Sequence, residues 1–186
     1  MKFLCERKTA MTITLLSIFL LTLSAIPSLA YWQRASPHET VETTLNGKKI
    51  SITYGRPYLK GRHLGSPEFV TYDKVWRTGA DEATTLVTEV DLKIGAFSLP
   101  KGTYTLFTLP SASGWKLIIN KRTGQWGIPY TDNDIKQELV RLDMKVEKLP
   151  SPVEQFTISF AKSGTGGVLK MEWENTRASI PFSEKK

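Results

Sequence analysis

Four short polar clusters interrupt an otherwise strand-like sequence, and each carries side chains equipped for chemistry. They are S-P-H-E-T around His38, Y-G-R-P-Y-L-K-G-R-H from Tyr54 to His63, V-W-R-T-G-A-D-E-A-T-T-L from Val75 to Leu86, and N-K-R-T-G-Q-W-G from Asn120 to Gly127. Arginine offers a planar fork of donors matched to carboxylate or phosphate oxygens, and Arg56, Arg62 and Arg77 all fall in loop-like sequence. Pro57 holds Arg56 extended. Converging, the three would form an anion site. Within its own cluster Arg77 is expected to pair with Asp81 or Glu82 across the Gly79 turn, which leaves Arg56 and Arg62 as the better ligand candidates. Trp76, Gln125 and Trp126 complete the candidate binding set. An exposed Trp suits stacking on a sugar ring or an apolar ligand, although a buried corner plug is the commoner fate of so large a side chain.

The chain has only two histidines, His38 and His63. Together with one of Glu39, Asp81 or Glu82 they have acceptable ligand chemistry for zinc or a similar divalent ion. No fixed-spacing motif such as H-E-x-x-H supports that set, so a hydrogen-bonding or surface role is the ordinary expectation for each histidine, and no cofactor is expected. Asp81 and Glu82 as an acid and base pair meet a different objection: neighbours in an extended chain point to opposite faces. There is no G-x-S-x-G elbow, no G-x-G-x-x-G and no P-loop pattern.

These clusters sit in a chain of 186 residues, 40% hydrophobic and 23% charged, with 13 Gly and 10 Pro. That is ordinary globular composition. Lys2, Arg7 and Lys8 precede the apolar run Met11 to Ala30, which ends in Pro27 and Ser28-Leu29-Ala30. This reads as a secretory signal peptide cut after Ala30, with an uncleaved anchor as the competing reading. Residues 1–30 are therefore set apart from a single domain over 31–186, exported to the periplasm or the exterior. Cys5 is the only cysteine and lies before the apolar run, so the exported part has neither disulfide nor thiolate nucleophile. Removing Lys2, Arg7, Lys8 and Glu6 lowers the formal charge from +7 by 2 to +5. The excess is spread along the chain without aromatic interleaving, which argues against a nucleic-acid groove. Membrane contact would come only through an uncleaved leader, and nothing specifies an oligomeric state.

Period-two alternation dominates from Val41 onward. In V-E-T-T-L-N-G-K-K-I-S-I-T-Y-G, Asn46-Gly47 separates two alternating runs with Ile50, Ile52 and Tyr54 on one face. Asn-Gly supplies the positive φ angles of a type I′ turn, so a β-hairpin is expected. A loop rich in Gly and Pro follows from Gly55 to Val75, longer than compact domains usually leave without function. Further strands are expected at about Thr84 to Leu92, Ile94 to Ser98, Thr103 to Leu109, Trp115 to Asn120 and Leu139 to Val146. Q-F-T-I-S-F-A-K, G-V-L-K-M-E-W-E-N and Ala178 to Phe182 follow, with one helical turn near Asp134 to Glu138. The pattern predicts an all-β fold, an antiparallel β-sandwich of jelly-roll type.

Taken in order, "SPHETV", "ITYGRPYLKGR", "VWRTGADEATT", "LPKGTYTLFTLP", "NKRTGQWG" and "MEWEN" resemble the blocks of a bacterial exported family, the domain of unknown function twenty-nine eleven, from about Ser36 to Phe182. The resemblance carries no assigned activity and no catalytic residues. The family block resembles W-R-T-G-A-N-E-A-T, and this chain places Asp81 where Asn is usual. The loop Arg and Trp residues and the lack of an activated nucleophile favour a non-enzymatic domain binding a small polar or anionic ligand, a sugar or a carboxylate. The alternatives are a metal-assisted hydrolase using His38, His63 and a carboxylate, and a structural module of the envelope.

Overall fold

The computed structural model describes residues 34–186. The expected leader, with Cys5, lies outside them. Among the described residues no helix is long and apolar enough to cross a membrane.

β1 (His38–Leu45) and β2 (Lys48–Gly55) form the expected hairpin, with Leu45 opposite Lys48. Asn46 and Gly47 have φ of 49° and 77°, the left-handed pair that a type I′ turn requires. Ile50, Ile52 and Tyr54 are buried on one face as their alternation predicts. β3 (Ala80–Thr88), β4 (Leu92–Ile94), β5 (Phe97–Leu99), β6 (Gly102–Pro110) and β7 (Trp115–Asn120) follow. The one helical turn among the described residues, α1 (Asp132–Lys136), is capped by Thr131 and Asp134 in a reciprocal box. β8 (Glu138–Ser163) and β9 (Gly166–Glu184) complete an all-β antiparallel sheet of nine strands, in the order β1-β2-β3-β6-β7-β8-β9-β4-β5.

Two boundaries differ from the sequence expectation. The expected strand from Ile94 to Ser98 is a turn flanked by two short strands, because Gly95 has a φ of 57°. Conversely, β8 and β9 each run through what reads as a break. Pro150 and Pro152 fall inside β8, where the pairing with β9 shifts between Lys148 and Val153 and again between Val153 and Thr157. Proline cannot donate to a ladder, and an irregular stretch is where a strand tolerates it.

The far half of β8 meets β2 and the loop after it. Phe156 N–H donates to the Pro57 carbonyl at 2.9 Å, Leu59 N–H to the Glu154 carbonyl at 2.9 Å, and Ile158 N–H to Tyr54 Oη at 2.8 Å. Both ends of the strand order thus share one core, in which Ile52 and Leu86 from β2 and β3 face Phe160, Ile180 and Phe182 from β8 and β9. Tyr54→Phe is expected to cost about 1–2 kcal/mol by leaving the buried Ile158 N–H without its acceptor, measured by urea unfolding. An unchanged midpoint would remove Tyr54 Oη from the contacts that hold β2 to β8.

Candidate functional site

The 56–75 loop is ordered by many bonds of its own, which is why it can wall a site. Arg62 donates from Nε to the Leu59 carbonyl at 2.9 Å and from Nη2 to the Tyr58 carbonyl at 2.8 Å, and its Cζ lies 3.9 Å from the centroid of Phe69. His63 Nδ1 meets Glu174 Oε1 at 2.6 Å, and the other oxygen of Glu174 accepts the Leu64 N–H. Arg56 pairs with Glu39 at 2.6 Å and donates to the Phe156 carbonyl and Thr157 Oγ1. Of the three candidate arginines, Arg56 therefore ties β1 to β8.

Between this loop and the 76–81 segment lies a cleft of about 590 Å³. Lys60, Arg62 and Arg77 supply its positive charge, while Tyr58, Trp76 and Trp173 are among its aromatic lining. Trp173 is buried, and Trp76 stacks on it at 5.5 Å between centroids with an 18° tilt. Trp76 also bridges to Thr108 in β6 through paired backbone hydrogen bonds. It behaves as the plug that large aromatics usually become, with one edge left to the cleft.

Arg77 departs from expectation. Among the described residues it makes no ion pair, and its Nη1 is buried without a hydrogen-bond partner. Burial pushes its guanidinium pKa down, against the opposing pull of Asp81 and Glu82 nearby. Its one directed contact is the face of Trp126, 5.3 Å from Cζ to ring centroid.

The expected pairing fails because both acids are engaged elsewhere. Arg34, four residues before β1 and absent from the sequence candidates, grips Glu82 with two hydrogen bonds of 2.6 and 3.0 Å. The same Nη1 lies 2.8 Å from His38 Nε2 and 3.8 Å from Asp81 Oδ2. His38 Nε2 is 3.3 Å from one oxygen of each acid. Asp81 and Glu82 share this partner despite being sequence neighbours, because Asp81 has a φ of 63°. That conformation interrupts the strand alternation at the start of β3 and brings the two carboxylates together. Asn and Asp tolerate it better than most residues, which rationalises Asp81 where the resemblance leads one to expect Asn. Gly55 of β2 lies between the partners: a Cβ there would come within 2.2 Å of the Ala80 carbonyl oxygen and 3.1 Å of His38 Nε2. His38 and His63 do not combine; His63 is committed to Glu174, and the group that converges is His38, Asp81 and Glu82, with ligand atoms all within 4.8 Å of one another. No local pattern marks Arg34, whose role comes from the return of β3 beside the hairpin.

Hydrogen bonding from Arg34 holds the Glu82 carboxyl at about 2, below its ordinary value of 4.5. A depressed acid contributes stability above its unfolded pKa and loses it as pH falls through the folded one. The contribution of Glu82 should thus be complete above about pH 4.5 and vanish toward about pH 2. Its side chain is 47% exposed, so solvent screening keeps the effect below about 1 kcal/mol. Urea unfolding of wild type and Glu82→Gln across this range should give curves that differ at pH 6 and meet near pH 2; a difference independent of pH would contradict the ion pair.

The fourth polar cluster is built mostly for its own support. Buried Asn120 donates to the Asp134 carbonyl at 2.7 Å and accepts from Arg122 N–H at 2.8 Å, while Arg122 pairs with buried Asp134 at 2.8 Å. Gln125 is buried, with Nε2 donating to the Arg122 carbonyl and Oε1 lacking a partner among the described residues. Its backbone carbonyl receives the Ala83 N–H, which anchors the loop beside β3. Trp126 and Ile128 remain exposed at 53% and 46%, and Ile128 lines the cleft. Gly127 packs so closely that a Cβ would lie 2.9 Å from that of Arg77. Arg77 and Ile128 thus belong to the cleft lining, and Trp126 lies beside Arg77.

No curated protein and no solved structure gives a significant match to the sequence. A family profile described as "Protein of unknown function (DUF2911)" matches residues 36–182, spanning every block that carries the resemblance and both walls of the cleft. The chain belongs to the DUF2911 family.

Proposed function

We propose that this protein is a non-enzymatic binding domain for a small anionic ligand, a carboxylate or sugar acid, held in the cleft against Arg77 and working in the periplasm or outside the cell. The observation that carries the reading is the Arg77 guanidinium, which belongs to the cleft lining and makes no ion pair among the described residues. A guanidinium without an acidic partner offers its planar fork of donors to an oxygen anion in charge-assisted hydrogen bonds. Lys60 and Arg62 add positive charge along the same cleft. Exposed Trp126 offers a flat face next to Arg77 on which a sugar or apolar ring can stack.

Thermal unfolding of the full chain in the presence of acetate, benzoate, glucuronate, phosphate and neutral glucose tests the reading. An anion at a hundred times its dissociation constant stabilises the folded state by about 2.7 kcal/mol. A shift with one or more anions that Arg77→Met removes is the expected result. The proposal fails if no anion shifts the transition, or if the variant responds as wild type does.

A further inference from the structure

The geometry points to a second site: we propose that His38, Asp81 and Glu82 bind a divalent transition-metal ion of the zinc class, and that Arg34 occupies the ion's place until it is displaced. The inference does not depend on anion binding at Arg77.

The argument begins with the hydrogen bond between Arg34 Nη1 and His38 Nε2, 2.8 Å long. A guanidinium has donors and no acceptor, so in this contact Nε2 stands as the acceptor, as a metal-binding imidazole nitrogen would. Nε2 also lies 3.3 Å from Asp81 Oδ2 and 3.3 Å from Glu82 Oε2. Three lone-pair atoms therefore face a common cation, Nη1, at 2.8, 2.6 and 3.8 Å. An ordinary His–carboxylate ion pair would place the proton on Nε2 and would need no arginine between them.

The spacing also suits a metal. Ligand atoms about 2.0–2.1 Å from a four-coordinate zinc stand about 3.3–3.4 Å from one another. The two separations measured from Nε2 are both 3.3 Å. One imidazole nitrogen with two carboxylate oxygens is a borderline donor set suited to zinc and its neighbours and ill suited to calcium, which takes six to eight oxygens. The backbone is shaped for this convergence, through the left-handed Asp81 and the missing Cβ of Gly55 beneath His38. The Arg34 side chain is 52% exposed, so it can swing out into solvent. Of the three ligands, Asp81 also lines the cleft, which places the ion beside it.

Zinc titrated calorimetrically into the tag-free full chain should bind at one ion per chain, and cobalt at the same site should show the visible bands of a four- or five-coordinate centre. His38→Asn should weaken zinc by more than about a hundredfold, beyond the range seen on losing an outer-shell partner. Arg34→Ala should tighten zinc by about two- to fivefold, since it removes an exposed competing ion pair. Circular dichroism and metal-free melting confirm that each variant is folded. Equal zinc affinity in wild type and folded His38→Asn, a six-coordinate cobalt spectrum, or weaker zinc binding in Arg34→Ala would each overturn the proposal.

Discussion

Replacing Arg77 with Met is expected to raise the melting temperature of the ligand-free protein by about 2–4 °C while weakening anion binding about ten- to 150-fold. The two effects have one origin. Arg77 Nη1 is buried without an acceptor among the described residues, and the guanidinium is held in a setting that disfavours its charge. A buried unpaired polar group costs about 1–3 kcal/mol, which Met removes while its stem keeps the packing against Gly127 and Trp126. A net gain of about 1 kcal/mol corresponds to about 2–4 °C for a chain of this size. A hydrogen bond from a charged donor to a bound anion is worth about 1.5–3 kcal/mol, hence the loss in affinity. Arg77→Lys should retain part of the affinity, since it keeps the charge and loses the fork. Calorimetric melting with anion titration checks both halves. A lower melting temperature in Arg77→Met would mean that the guanidinium is a structural element of the loop, in conflict with the proposed role.

Gly55→Ala is expected to destabilise the fold by about 3 kcal/mol and to dismantle the site with it. The added methyl would stand 2.2 Å from the Ala80 carbonyl oxygen and 2.9 Å from its carbon, which are backbone atoms that cannot swing aside. β2 and β3 must separate where Gly55 faces Ala80, and overpacking of this kind costs at the upper end of its usual range. The displaced residues include Asp81 and Glu82, so binding at His38 should vanish along with the stability. Gly47→Ala provides the comparison. Gly47 has a φ of 77° but nothing within 4 Å of its missing Cβ, so only the left-handed penalty of about 1 kcal/mol applies. Urea unfolding of both variants separates the two causes; equal losses would show that backbone conformation, and not close approach, is the reason for Gly55.

The hairpin and the cleft differ in how far a local reading reaches. Asn46-Gly47 and the alternation of Ile50, Ile52 and Tyr54 are properties of adjacent residues, and each was legible because turn angles and side-chain direction repeat every residue or two. The same logic failed at Asp81, where one left-handed residue breaks the alternation, and at Pro150 and Pro152, where an irregular strand pairing absorbs what reads as a terminator. Arg77 was misjudged for a different reason. The nearest acids in sequence are natural partners only when nothing else competes, and Arg34 reaches them from 48 positions away.

Strand content, the opening hairpin, the helical turn at Asp132–Lys136 and membership of the family were legible from residue order, because these follow from short-range pattern and from ordered blocks of residues. Tertiary structure alone decided which charges meet. The return of β3 beside the hairpin takes Asp81 and Glu82 to His38 and Arg34, and the crossing of β8 onto β2 commits Arg56 to Phe156 and Thr157. Those distant choices leave Arg77 half-buried and without an ion pair among the described residues. Ion pairing depends on distance in space, and in an antiparallel sheet that distance is set by strand order and register.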